Sequence, residues 1–422
     1  MKYTLKIIKS LFLVSFFGLV WTLECEEGEV DLGWGDCNYI YGYYYSSNGC
    51  MPSGCFSIEE TIEINISYIS LGEFPQNIIE LTNLSSINIS DCGLIGEIPS
   101  GIENLQSLVR LWIYDNDLDI SDSLGINTNL YGEIPLEIGS LENLQSINLS
   151  NNELEGPIPD ELSNLSSLTQ LILSGNQLSG EIPLSLMGLE NLESLSLSDN
   201  QLAGQIPADI GNLANITFLS LSNNQLTGNI PSRINSLASI YFLDLSYNNL
   251  TGEIPSDLGS LDLVYLILNN NKLTGQIPSA LGDQSLLYQL DLSSNSLTGT
   301  LPAELQNLDL FFLLLNNNQL TGDLPDVFCE YYSVDLSDNQ FCPEYPECLS
   351  VDEIGYQDTS ICGECSELDG DVNFDGVIDI LDVVSTVNCI LSGECSWCSD
   401  YNGDGFVDVL DIVVLISIIL EV

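Results

Sequence analysis

Leucine and polar residues alternate along this chain on a fixed beat. The stretch "LENLQSINLSNNELEGPIP", Leu141 to Pro159, shows one period. Leu144, Ile147 and Leu149 are spaced as the inward positions of a short strand. Asn152 follows, where a buried amide can satisfy backbone groups at a turn. Leu154 and Ile158 fill the core from the next side, and Pro159 starts the returning arm. Prolines mark the repetition at 75, 99, 135, 159, 183, 207, 231, 255, 278, 302 and 325. Most steps are 24 residues and two are 23, but the step from 99 to 135 is 36. One repeat therefore carries an insertion around "LDISDSLGINTN". A single coil cannot bury its own leucines, whereas stacked coils bury one another's. The period predicts a solenoid of short parallel strands stacked about 4.8 Å apart, with a mostly irregular convex side.

The pattern changes near the C-terminus. Val383, Val384, Val387, Ile390 and Leu391 fall on one face of a helix; Ile412, Val413, Ile416, Ile419 and Leu420 repeat that face 29 residues later. An antiparallel pair of helices is expected. Each is preceded by an acidic stretch, "DVNFDGVIDILD" at 371–382 and "DYNGDGFVDVLD" at 400–411. Like charges repel, so such crowding needs a cation. In the first stretch Asp371, Asn373, Asp375, Asp379 and Asp382 offer side-chain oxygens at positions 1, 3, 5, 9 and 12. Gly376 allows the sharp turn at position 6, and Val377 would offer its carbonyl at position 7. Asp400, Asn402, Asp404, Gly405, Phe406, Asp408 and Asp411 match place for place. This is EF-hand ligand spacing, hard oxygens around a hard cation, and it predicts two bound calcium ions.

Charge and composition narrow the function. The chain has 61 acidic and 6 basic residues, a formal charge of −55. Such a surface repels nucleic acid and anionic lipid. Histidine is absent, which removes Ser-His-Asp and Cys-His catalysis and every histidine-ligated metal site. Between the N-terminal segment and the tail, no repeat-free stretch is long enough for a catalytic domain, so no enzymatic activity is expected. Residues 1–23, with Lys2, Lys6 and Lys9 before the apolar run Leu11 to Leu23, read as a signal peptide or an N-terminal anchor. No later segment is long enough to span a membrane. Thirteen cysteines fit an oxidising compartment, and they cluster outside the long repeat. Those outside the tail are expected to staple caps rather than coils; spacing leaves the connectivity open. Cys92 stands at the asparagine position of its repeat and is expected to be a buried structural thiol.

The repeat "LxxLxxLxLxxNxLxGxIP" resembles the plant-type leucine-rich repeat of receptor-kinase ectodomains and polygalacturonase inhibitors. The likeness divides the chain into a cysteine-containing N-terminal cap at 24–58 and repeats with a C-terminal cap, "FCPEYPEC" with Cys342 and Cys348, at 59–348. A linker is expected at 349–368. The duplicated loop-then-helix tail, 369–422, with Asp at position 12 and no helix before either loop, resembles a type I dockerin. Together they imply an α/β leucine-rich-repeat solenoid followed by a small all-α calcium-binding domain. They also imply a secreted or cell-surface interaction protein, tethered through a protein partner such as a cohesin-like module. The alternative is a component of a polysaccharide-degrading assembly, with glycosidase activity or binding of polysaccharide. One departure stands out: loop positions 10 and 11, often hydroxyl-bearing in cellulosomal dockerins, are here Ile380-Leu381 and Val409-Leu410.

In the repeat, residues between the strand leucines face the concave side. Aligning the coils brings Phe218, Phe242 and Tyr265 into one column, with Asp244 and Asp291 two places along. The strip reads either as a ladder that stiffens the sheet or as a binding patch for a peptide or a sugar chain.

Overall fold

The computed structural model describes residues 29–32, 55–67, 71–116, 129–324, 326–342, 345–359, 378, 380–392, 407 and 409–420. The signal segment, most of the N-terminal cap and the inserted residues 117–128 lie outside these.

Stacking produces a parallel sheet of 12 strands, from Glu63–Ser67 at one end to Ser333–Asp335 at the other. From Ser146–Asn148 onward each strand is three residues long, for example Phe218–Ser220 and Phe242–Asp244, and each pairs with its neighbour in strict register. The opposite side is more regular than the sequence suggests. A second parallel sheet of 10 strands runs from Tyr131–Glu133 to Gln340–Phe341. Between the sheets each coil makes a short 3-10 turn, and the consensus proline stands immediately before it. Pro207 is extended (φ −54°, ψ 129°) ahead of Ala208–Asn212. Proline's fixed φ and missing N–H suit that entry position, where a donor would find no partner within the turn.

Leu219, Leu221, Leu226, Ile230 and Ile234 show how one coil fills the core: all are buried. Coils are then sewn together by asparagine. In Asn224, Nδ2 donates to Leu197 O at 2.9 Å in the preceding coil and to Leu221 O at 3.2 Å in its own. Its Oδ1 accepts from Leu202 N at 3.0 Å. The same arrangement recurs at Asn176, Asn200, Asn248, Asn271, Asn295, Asn318 and Asn339. Cys92 occupies this position as a buried thiol whose Sγ donates to Ser90 O at 3.0 Å. Asn152, the first such residue after the insertion, keeps its donor bonds to Ile113 O and Leu149 O. Its Oδ1 accepts no hydrogen bond.

Both ends are closed. At the N-terminal end Glu29–Asp31 pairs antiparallel with Cys55–Ser57, and Val30 and Leu32 enter the core. At the C-terminal end a disulfide joins Cys348 to Cys329, 19 residues back on the last 3-10 turn. Cys342 is also disulfide-bonded. The cap extends into the stretch expected as linker. Helix α1, Val351–Ile354, is closed at its start by a reciprocal capping box between Ser350 and Glu353. Leu336 N donates to Glu353 O at 2.8 Å and Asp338 N to Tyr356 O at 2.7 Å. Gln357 donates to Leu336 O and accepts from Phe341 N. Residues 350–358 thus cover the last strand edge, which would otherwise offer unpaired backbone groups.

Two helices form the tail: α2, Ile380–Ser392, and α3, Val409–Leu420, packed against each other. The buried face differs from the expected one. Asp382, Val383 and Thr386 are buried on α2, and Asp411 and Leu415 on α3. Val384, Leu391, Val413, Ile416 and Leu420 are exposed. Turning the two aspartates inward sets the rotation, because residues four apart share a face. Asp382 brings Thr386 with it, and Asp411 brings Leu415.

Candidate functional site

The strand register places Phe218 opposite Phe242, and Phe242 opposite Tyr265. Their rings touch. Phe218 and Phe242 stack at 4.4 Å and 9°, while Phe242 and Tyr265 lie at 5.5 Å and 48°. The column then slants. Tyr265 meets Tyr288 at 5.8 Å, Tyr288 stacks on Phe311 at 5.0 Å and 11°, and Phe311 stacks on Tyr332 at 4.1 Å and 17°. Six rings, one from each of six consecutive coils, make one continuous ladder. Phe312 packs edge-on against both Tyr288 and Phe311.

Tyr288, Phe311 and Tyr332 escaped the sequence alignment because they precede their strands by one residue. Strict alternation would send them to the other face. They sit instead in the turn entering the strand, where Tyr288 N bonds Val264 O and the two-residue period has not begun. A column drawn one place upstream (Tyr241, Val264, Tyr288, Phe311, Tyr332) carries the missed signal.

The two aspartates expected beside the strip are there, with a third. Asp244, Asp291 and Asp335 take the last position of their strands. Each uses Oδ1 to accept from a serine two residues on. For Asp291 the donors are Ser293 N at 3.1 Å and Ser293 Oγ at 2.7 Å, and Ser246 and Ser337 do the same for the other two. Asn148 makes this turn with Ser150, so the turn does not need a charge. Asp291 is the buried member. Burial raises its pKa above the ordinary carboxylate value; the Ser293 bonds oppose this, and the charges of Asp244 and Asp335 add to it. Three carboxylates therefore line the strip with an unfavourable excess of negative charge. Arg110, at the far end of the sheet, is occupied with Trp112, its guanidinium 5.0 Å from the ring centroid.

In the tail, the calcium ligands expected at Asp371, Asn373, Asp375, Val377, Asp379, Asp400, Asn402, Asp404, Phe406 and Asp408 lie outside the described residues. Asp382 and Asp411, the position-12 residues, are described. Both side chains are 0% exposed, each in the first turn of its helix. No lysine, arginine or histidine follows Lys272 anywhere in the chain. A buried carboxylate is stabilised by hydrogen bonds and by a nearby cation, and no basic residue lies in the tail to serve as that cation. The donor set, all oxygen, fits calcium. Asp382 and Asp411 would hold the metal from the helix side of each loop, and the ion would supply positive charge there.

Comparison with known proteins matches this division. A leucine-rich-repeat family model matches residues 83–105, 191–213, 215–237, 239–261, 262–284 and 286–308, and a second matches 122–178. The dockerin type I model matches 369–420. Among solved structures, the chain is similar to the ectodomain of the plant receptor kinase GASSHO1/SCHENGEN3 from Arabidopsis thaliana. Identity is 33% over 68% of this chain, with a TM-score of 0.60. A TDR receptor matches at 29% identity over 69% of this chain, TM-score 0.59. The plant peptide hormone receptor RGFR1, in complex with RGF2, matches at 31% over 66%, TM-score 0.50. This chain spans only 37%, 53% and 55% of those chains. Among curated proteins, an adenylate cyclase of Schizosaccharomyces pombe is 35% identical over 89 residues, 21% of this chain and 4% of that protein. The chain is a leucine-rich-repeat solenoid that carries a type I dockerin domain at 369–420.

Proposed function

We propose that this is a secreted, non-catalytic interaction protein whose solenoid binds a ligand and whose tail tethers it, through calcium, to a partner module of the cohesin kind. The carrying observation is the pair of fully buried carboxylates, Asp382 and Asp411, in a tail with no basic residue. Such a tail folds around ions taken from its surroundings, so metal-binding energy becomes folding energy. One ion per loop gives two. Loops with four carboxylates each would hold calcium at extracellular concentrations, and an oxidising compartment agrees with the Cys329–Cys348 bridge. Among the described residues no helix is long and apolar enough to cross a membrane. For the solenoid, the likeness to a plant peptide hormone receptor supports ligand binding on the repeats.

The dockerin match favours a second reading of the setting: membership of a polysaccharide-degrading assembly, in which this chain would be a binding rather than a hydrolytic component. Both readings share the tether. Immobilised cohesin modules, offered the full chain with calcium or with chelator, test it. Capture only in calcium, lost in the Asp382→Ala/Asp411→Ala double variant, supports the reading. Capture unaffected by chelator, or no capture by any module, opposes it.

A further inference from the structure

We infer that the aromatic ladder is the docking edge for an extended, lysine- or arginine-bearing peptide segment of a partner protein, and not a platform for sugar rings. The inference rests on the proposal that the solenoid binds a ligand, and it names the class. The decisive geometry is the stacking. A pyranose packs flat on an aromatic face, but here three of the five contacts between successive rings are face to face, and the two that Tyr265 makes are tilted or edge-on. Phe218 and Phe242 lie within 9° of parallel, Tyr288 and Phe311 within 11°, Phe311 and Tyr332 within 17°. Rings stacked face to face offer their edges rather than their faces to a ligand. Ring edges carry the positive part of the aromatic quadrupole and attract oxygen acceptors such as peptide carbonyls. The hydroxyls of Tyr265, Tyr288 and Tyr332 add hydrogen-bond donors, and Tyr288 and Tyr332 are exposed.

Charge settles the side chains such a peptide would carry. The strands of this sheet from Ser146–Asn148 to Ser333–Asp335 contain no basic residue, while Asp244, Asp291 and Asp335 run beside the rings. Burial, and after it the charges of Asp244 and Asp335, make ionised Asp291 costly, and an incoming cation offsets that cost. An acidic segment would add to that negative charge, and a neutral one would not offset it. Length agrees as well. Six coils at about 4.8 Å span roughly 24 Å, the reach of about seven extended residues.

The test measures binding of the full chain to defined probes in calcium and physiological salt. The probes are a nine-residue peptide alternating lysine with phenylalanine, its lysine–serine and glutamate–phenylalanine counterparts, and cellohexaose. Two variants accompany the parent. Phe242→Ser/Tyr265→Ser/Tyr288→Ser removes the middle of the ladder. Asp244→Asn/Asp291→Asn/Asp335→Asn removes the charge and keeps the serine turns, as Asn148 does. The expected result is that the lysine–phenylalanine peptide binds at least tenfold more tightly than the other three probes, and that each variant weakens it at least tenfold. Equal binding of the lysine–serine peptide, or no loss in either variant, would mean diffuse attraction to an acidic protein and would overturn the inference. Ladder-dependent binding of cellohexaose would also overturn it, while leaving the solenoid a ligand-binding face. If no probe depends on the ladder, both the inference and the concave ligand face fall.

Discussion

The side-chain Oδ1 of Asn248 accepts the backbone N–H of Leu226, one coil back, at 3.0 Å, while its Nδ2 donates to Leu221 O at 2.9 Å. One side chain thus satisfies a buried donor and a buried acceptor of its neighbour and a carbonyl of its own coil, Leu245 O at 3.2 Å. Replacing it with alanine strands the Leu226 N–H, while Leu221 O and Leu245 O keep the Asn224 and Asn271 amides. Leaving a buried polar group unsatisfied costs about 1–3 kcal/mol, so Asn248→Ala is expected to lose about 1–3 kcal/mol in denaturant unfolding. Asn248→Cys should lose less, because a thiol can still donate, as Cys92 does to Ser90 O.

Coils approach most closely at the 3-10 turns. A Cβ on Gly259 would lie 2.1 Å from the carbonyl oxygen of Ala280 in the next coil, and backbone cannot move aside as a flexible side chain can. Gly259→Ala is expected to cost about 1–3 kcal/mol, the usual range for forcing extra atoms into packed space. Gly188, which has no atom near its Cβ direction, is the control: Gly188→Ala should leave the unfolding midpoint nearly unchanged.

Asp291 makes a prediction with a sign. Its pKa is higher in the folded chain than in the unfolded chain, chiefly through burial. A group raised in this way favours the folded state below its unfolded pKa, and that contribution is lost as pH rises through the folded value. At neutral pH the ionised, buried carboxylate therefore opposes folding. Asp291→Asn keeps the acceptor for Ser293 and removes the charge. Thermal melts should show the variant more stable than the parent at pH 7, with the difference shrinking toward zero below about pH 4, where the unfolded carboxyl is protonated as well. A constant difference across that range would contradict the assignment.

The fold was largely legible because leucine, asparagine and proline each act locally: Leu219 fills the core, Asn224 ties neighbouring backbones, and Pro207 enters a 3-10 turn. Phe218, Phe242 and Tyr265 were found because in-register parallel strands preserve columns. Tyr288 and Phe311 were not, because side-chain direction in the turn before a strand is set by local backbone rather than by alternation. The tail helices failed in a related way. Hydrophobic periodicity pointed Val384 and Leu391 inward, yet burying Asp382 turned the helix so that both face out. Apolar spacing says nothing of a carboxylate that is buried. The C-terminal cap was misjudged as linker from Leu349 because its anchors, Glu353 O, Tyr356 O and the Gln357 amide, bond to the solenoid through groups that carry no pattern.

The central claim is that Asp382 and Asp411 are buried to hold calcium. Calorimetric titration of the full, metal-stripped chain with calcium tests it most directly. Two ions per chain should be taken up in a saturable transition, and Asp382→Ala with Asp411→Ala should abolish that uptake while Asp244→Asn with Asp291→Asn leaves it intact. Equal uptake by the Asp382→Ala/Asp411→Ala variant, or no saturable uptake by the parent, would contradict the account.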